Sequence, residues 1–175
     1  ADMADDAKSH LKHEFLVGGI SNMFFNGLIA WLLLRGGPAL GWTGSGNFVG
    51  DVFATALLLP FIVGLIVIPL QRKKLNAGKL QPISLGADSF IQAVADRFPS
   101  STFKSALMFG LVGMCLIAPV TLLGFYLAGV QEVAPLNYAI FKGIWAGLMA
   151  GILVIPMVLV ALRGEAQLQV AETAC

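Results

Sequence analysis

The sequence predicts an all-α membrane protein: a four-transmembrane-helix bundle with both termini cytoplasmic and a short amphipathic interfacial helix between helices two and three. Three observations carry this expectation. The 175 residues are 57% hydrophobic and only 12% charged, where a soluble domain has about 25% charged residues. Four stretches each reach the roughly 20 apolar residues needed to cross about 30 Å of hydrocarbon. Nine of the eleven Lys and Arg fall in segments that a four-span path puts on one side, the bias that marks a cytoplasmic face. Residues 1–175 therefore read as a single integral membrane domain. Strands of an outer-membrane barrel alternate apolar and polar residues; Leu57-Leu58-Leu59-Pro60-Phe61-Ile62-Val63 does not.

The first span covers about 15–34 and carries no charge until Arg35. Asp2, Asp5, Asp6 and Glu14 precede it, which does not suit a cleavable leader, so the span is expected to serve as its own insertion signal. Gly18, Asn22 and Asn26 lie one helical turn apart. An amide in hydrocarbon needs a partner, and interhelical bonds of this kind contribute about 0.6–2 kcal/mol. Asn22 and Asn26 are therefore expected to make polar intramembrane contacts, with Ser21, Thr55 and Thr121 as candidate partners. His10, His13 and Glu14 have helical spacing at the start of this span but lack further ligands to complete a site. No metal is predicted.

Residues 35–50 are rich in glycine and suit turns near the headgroups, with Trp31, Trp42 and Tyr138 as interface anchors. The second span, about 52–70, follows Asp51 and stops before Arg72, Lys73 and Lys74, a basic cluster expected at the membrane surface. The connection 71–104 is cytoplasmic. Within it, Asp88 to Phe98 puts Phe90, Ile91, Val94 and Phe98 on one helical face, and Pro99 ends the run. Such a helix either lies flat on the leaflet or packs against the bundle end or a partner.

The third and fourth spans, about 105–130 and 138–162, are joined by a short connection and should be antiparallel neighbours. Ala139, Gly143, Gly147 and Gly151 recur every four residues in the fourth, a ridge that lets another helix approach closely. Its partner is expected to be a foreign helix, another copy, or the third span of the same chain at Ala106, Gly110 and Gly113. Pro60, Pro69, Pro119 and Pro156 each remove an N–H and can kink a helix. Ile62–Pro69 resembles Met149–Pro156 in its Gly, Val, Ile and Pro positions, a weak sign of a parallel repeat of helix pairs. Asp51, Glu132 and Lys142 lie near span ends, where snorkelling is easy. Cys115 and Cys175 are too far apart along this path to form a disulfide.

The net charge of +1 gives no field to attract nucleic acid. No ionisable residue sits in the centre of a span, whereas proton relays and ion pathways need them there. No phosphate loop, metalloprotease motif or nucleophile elbow is present, and no histidine lies within a span to ligate a haem or pigment. No catalytic residue and no cofactor are predicted; bound lipid or pigment is compatible with the composition but specified by no residue. The leading expectation is a non-catalytic subunit or assembly factor of the plasma or inner membrane. Its expected partners are other membrane subunits or another copy of itself, together with lipid. The alternative is a small, oligomeric transporter or channel built on the Asn row and the proline kinks; an enzyme acting on lipid or quinone comes third.

Overall fold

A computed structural model of the chain describes residues 2–86 and 88–164. Five helices form: α1 (Asp2–Leu34), α2 (Phe48–Asn76), α3 (Phe90–Asp96), α4 (Thr102–Leu127) and α5 (Pro135–Ala161). All but α3 are long and apolar enough to cross a membrane, one for each predicted stretch. Their bounds differ for local reasons. α1 begins at Asp2 rather than near 15, because neither glycine nor proline interrupts the chain before Gly18. α2 begins at Phe48, where the Asn47 carboxamide oxygen accepts the Gly50 N–H at 2.8 Å, a cap for an otherwise unpaired donor. It runs on through Arg72, Lys73 and Lys74. α4 starts behind the Ser101 cap and stops three residues short of the predicted 130, just before Gly129 with φ of +70°, a backbone state that favours glycine and ends helices.

Two short strands, β1 (Leu40–Gly41) and β2 (Glu132–Val133), pair antiparallel with Leu40 opposite Val133. They tie the glycine-rich loop to the α4–α5 connection, and the Trp42 indole N–H donates to the Val130 carbonyl at 2.7 Å. This is the ribbon end of the bundle; α3 lies at the other end. A run of aromatic rings leads inward from the ribbon, with Trp42 on Phe48 (5.0 Å) and Phe48 on Phe125 (5.2 Å).

α5 is the hub. Its most apolar stretch is 61% buried, against 6% for that of α1. α1 runs antiparallel to it: Gly27 meets Gly143, Met23 meets Gly147, and Phe15 meets Gly151. α2 runs parallel to α5, since both start at the ribbon and the chain beyond α2 returns Ile83 N–H to Leu162 O. The two stretches of the suspected repeat pack differently: Gly64 lies on Ala106 of α4 and Gly151 on Phe15 of α1.

The α2–α4 seam has a specific cause. Pro60 lacks an N–H, so the Ala56 carbonyl one turn earlier has lost its helical donor. That oxygen faces Gly113, where an added Cβ would lie only 1.9 Å from it. From Gly113 to Ile117, α4 widens into a π turn in which Ala118 N–H reaches back five residues to Gly113 O. Pro119 follows at once and could not have donated to Cys115 O, so the wider turn accommodates the proline within a continuous helix.

α3 splits the apolar face expected from its spacing. The residues turned inward are Gln92, Ala95 and Phe98, whereas Phe90 is 81% and Ile91 41% exposed. Phe98 stacks on Phe109 at 4.2 Å. Gln92 is tolerated inside because it is bonded at both ends: its Oε1 accepts Leu85 N–H at 3.0 Å and its Nε2 donates to Asp96 Oδ1 at 2.8 Å. The helix spans 90–96 rather than 88–98 and is packed against the end of the bundle by this face.

Candidate functional site

Three places concentrate the residues that the sequence singles out. The first is the glycine ridge. Ala139, Gly143, Gly147 and Gly151 all lie buried on α5, and the helix they receive is α1. Added Cβ atoms would come within 2.9 Å of Met23 O at Gly143, 2.7 Å of Met23 Cβ at Gly147 and 3.1 Å of Phe15 O at Gly151. The α1 side contributes its own small residues: Gly19 lies on Gly147 O and Gly27 on Gly143. Gly110 and Gly113 do not meet this ridge. They lie against Leu57, Phe61, Ala56 and Pro60 of α2, so the expected pairing of the two glycine groups is corrected to two separate seams.

The polar row of α1 turns onto its own helix. Asn22 Nδ2 donates to Gly18 O at 2.8 Å and Asn26 Nδ2 to Asn22 O at 3.0 Å; Ser21 likewise bonds Val17 O. Thr121, a candidate partner for the row, instead accepts the Trp145 indole N–H at 3.0 Å and donates to Ile117 O within the π turn.

The second place lies at the ribbon end, between the first turns of α2 and α5. Asp51 Oδ1 accepts from Lys142 Nζ and Asp51 Oδ2 from the Tyr138 hydroxyl, both at 2.6 Å. Tyr138 is only 1% exposed, so it is a buried brace rather than an interface anchor, and its hydroxyl requires such a partner. Lys142 and Asp51 do not snorkel apart: their side chains are 16% and 34% exposed and paired. Beside them is a cavity of about 180 Å³ between the last turn of α1 and the loop that precedes α2. The two charges stand 91 residues apart but each opens a predicted span on the same side, and that opposite-sign match was the available signal for their pairing.

The third place lies at the α3 end. Arg163 is 3% exposed, and its guanidinium donates to Phe98 O at 2.6 Å and also to Ala95 O. Ala95 O is among the last carbonyls of α3, whose partial negative charge favours a cation there. Burial pushes the Arg163 pKa down, with Asp96 opposing that shift. Of the predicted surface cluster, Arg72 donates to Thr102 Oγ1 at 2.9 Å, Lys74 reaches Glu14 at 3.8 Å, and Lys73 is exposed. His10 Nε2 meets Gln71 Oε1 at 3.1 Å and lies 3.9 Å from Glu14; His13 is exposed. Cys115 is exposed on α4, and Cys175 lies outside the described residues.

The hydroxyl and amine at the ribbon end are both engaged by the Asp51 carboxylate. Each of the three places joins helices or braces their ends. No family model, characterised protein or solved structure matches the chain. The functional reading therefore rests on this geometry alone.

Proposed function

We propose that the chain is a non-catalytic subunit of a larger membrane complex. It crosses the plasma or inner membrane four times, with both termini and the 71–104 connection on the cytoplasmic side. The observation that carries this reading is a stripe on α5: Leu136, Ile140, Ile144, Leu148 and Ile152, each about half exposed. The stripe lies one residue on from the glycine ridge, about 100° round the helix, and runs for about 24 Å. α1 covers α5 along the ridge, and α4 meets it through Phe141 and Trp145. The stripe lies between the ridge and those two aromatic residues, so this side of the hub helix is left open. A partner helix laid there would gain contacts along α5. In lipid, where apolar surfaces have little drive to leave their solvent, such close contact is what holds helices together.

The transporter alternative is less well supported, because the Asn22 and Asn26 amides bond their own backbone instead of facing a neighbour. Photo-crosslinking residues placed in the intact membrane at Ile140, Ile144 and Leu148 should all trap the same foreign membrane protein. The same probe at Leu116 and Val120, on the outward side of α4, should not. Adducts with lipid alone at the three α5 positions would overturn the reading.

A further inference from the structure

The ion pair at the ribbon end does more than brace two helices. Asp51 and Lys142 line the neighbouring cavity together with Tyr138, and so do Ala30, Leu33 and Leu34 from the last turns of α1. The lining thus carries both signs of charge, the polar Ser45 and Asn47 of the loop before α2, and an apolar part from α1. Leu33 is 78% exposed, so the apolar part continues onto the outer surface of the bundle.

The chemistry of the charged part selects among ligands. Lys142 has three N–H donors and Asp51 engages one; a carboxylate has about four acceptor sites, and the Tyr138 hydroxyl and Lys142 occupy two. Tyr138, itself buried, fixes the carboxylate so that it cannot swing away. An anion entering to reach Lys142 would meet Asp51, and a cation entering to reach Asp51 would meet Lys142. A ligand carrying both charges a short distance apart satisfies both. The apolar part then calls for a hydrocarbon portion on the same molecule.

We propose that this cavity holds the headgroup of a zwitterionic aminophospholipid, its phosphate on Lys142, its primary ammonium on Asp51, and its acyl chains along α1. The proposal rests on the membrane-embedded reading above but not on the presence of a partner subunit. It also gives the α1–α5 joint a lipid that bridges their ends.

The test uses the full chain, purified in detergent, stripped of lipid, and titrated with phosphatidylethanolamine, phosphatidylcholine, phosphatidylglycerol or soluble phosphoethanolamine. Thermal unfolding and native mass spectrometry are the readouts. Phosphatidylethanolamine should raise the melting temperature saturably and remain as a single bound lipid. Phosphatidylcholine, whose quaternary ammonium has no N–H for Asp51, should bind about tenfold more weakly, about the loss expected for one charged hydrogen bond. Phosphatidylglycerol should show no saturable shift, and phosphoethanolamine without chains should not compete. Asp51→Asn should abolish the preference among lipids. Because that variant also loosens the helix ends, Gly46→Trp provides the second arm. Gly46 lines the cavity and a Cβ there meets nothing within 4 Å, so it should block the lipid and leave the ion pair in place. Equal response to all three lipids, competition by phosphoethanolamine, or full retention of the lipid by Gly46→Trp would each overturn the headgroup site and leave membrane insertion standing. A chain that stays folded and dispersed without detergent would overturn the insertion reading as well.

Discussion

Replacing Gly113 with Ala gives the sharpest check on how the helices are held. The new methyl would lie 1.9 Å from Ala56 O, 3.0 Å from the Ala56 carbonyl carbon and 3.1 Å from Pro60 Cγ. A carbon and a carbonyl oxygen normally approach no closer than about 3.3–3.6 Å, so α2 and α4 must part by more than about 1 Å. Two of the three atoms struck are backbone and the third is in a proline ring, so no side chain can rotate away. A gap of that size forfeits roughly a quarter to a half of each contact across the seam, and that seam includes Gly110 on Leu57 and Gly64 on Ala106. Overpacking of an ordinary core costs about 1–3 kcal/mol, and this site should reach or exceed the upper end. Gly124→Ala is the matched control in the same helix, because a Cβ there meets nothing within 4 Å. It should be neutral or stabilising by up to about 1 kcal/mol. Reversible unfolding in mixed micelles would compare the two. If Gly113→Ala is as stable as Gly124→Ala, the close approach of Ala56 O to α4 is wrong, and so is the role given to Pro60.

Gly147→Leu should release α1 while α2, α4 and α5 stay packed, because the ridge is the main contact α1 makes; faster amide exchange confined to residues 15–30 would show it, and uniform exchange would contradict it. Arg163→Ala removes two charged hydrogen bonds that hold the end of α3, each contributing about 1.5–3 kcal/mol. Exchange over 90–98 should rise sharply, and Arg163→Lys should not restore protection, because an ammonium lacks the planar fork that reaches both carbonyls. Cysteines at Thr43 and Lys79, in a chain with Cys115→Ser and Cys175→Ser, should react with an impermeant reagent from opposite sides of the membrane; labelling from the same side would overturn the four-span path.

The four long helices were legible because each is set by an uninterrupted apolar run, which needs no knowledge of neighbours. The glycine ridge on α5 was legible for the same reason, since one residue in four is a property of a single helix. Its partner was not. Gly19 and Gly27 of α1 are eight residues apart with Met23 between them, so α1 does not read as a small-residue ridge, while Ala106, Gly110 and Gly113 do. Only the three-dimensional arrangement shows that the latter face α2, where Pro60 leaves a carbonyl without a donor. The side of α3 that meets the bundle was not legible from hydrophobicity, which grouped Phe90 and Ile91 with Phe98 and left open whether that face meets the leaflet or the bundle. In fact Gln92 takes the inner position, where its amide satisfies the Leu85 N–H that a hydrocarbon side chain would leave unpaired. The Asp51–Lys142–Tyr138 cluster spans 91 residues, and spacing within one helix carries no trace of it.

The composition of the native particle tests the central claim most directly. Extraction in a polymer that retains the surrounding lipid, followed by mass measurement and identification of every chain, should return this protein with a foreign membrane subunit at fixed stoichiometry. That subunit should be lost when Ile144 and Leu148 are replaced by tryptophan. Recovery of this chain alone, surrounded by lipid and unchanged by those substitutions, would contradict the account.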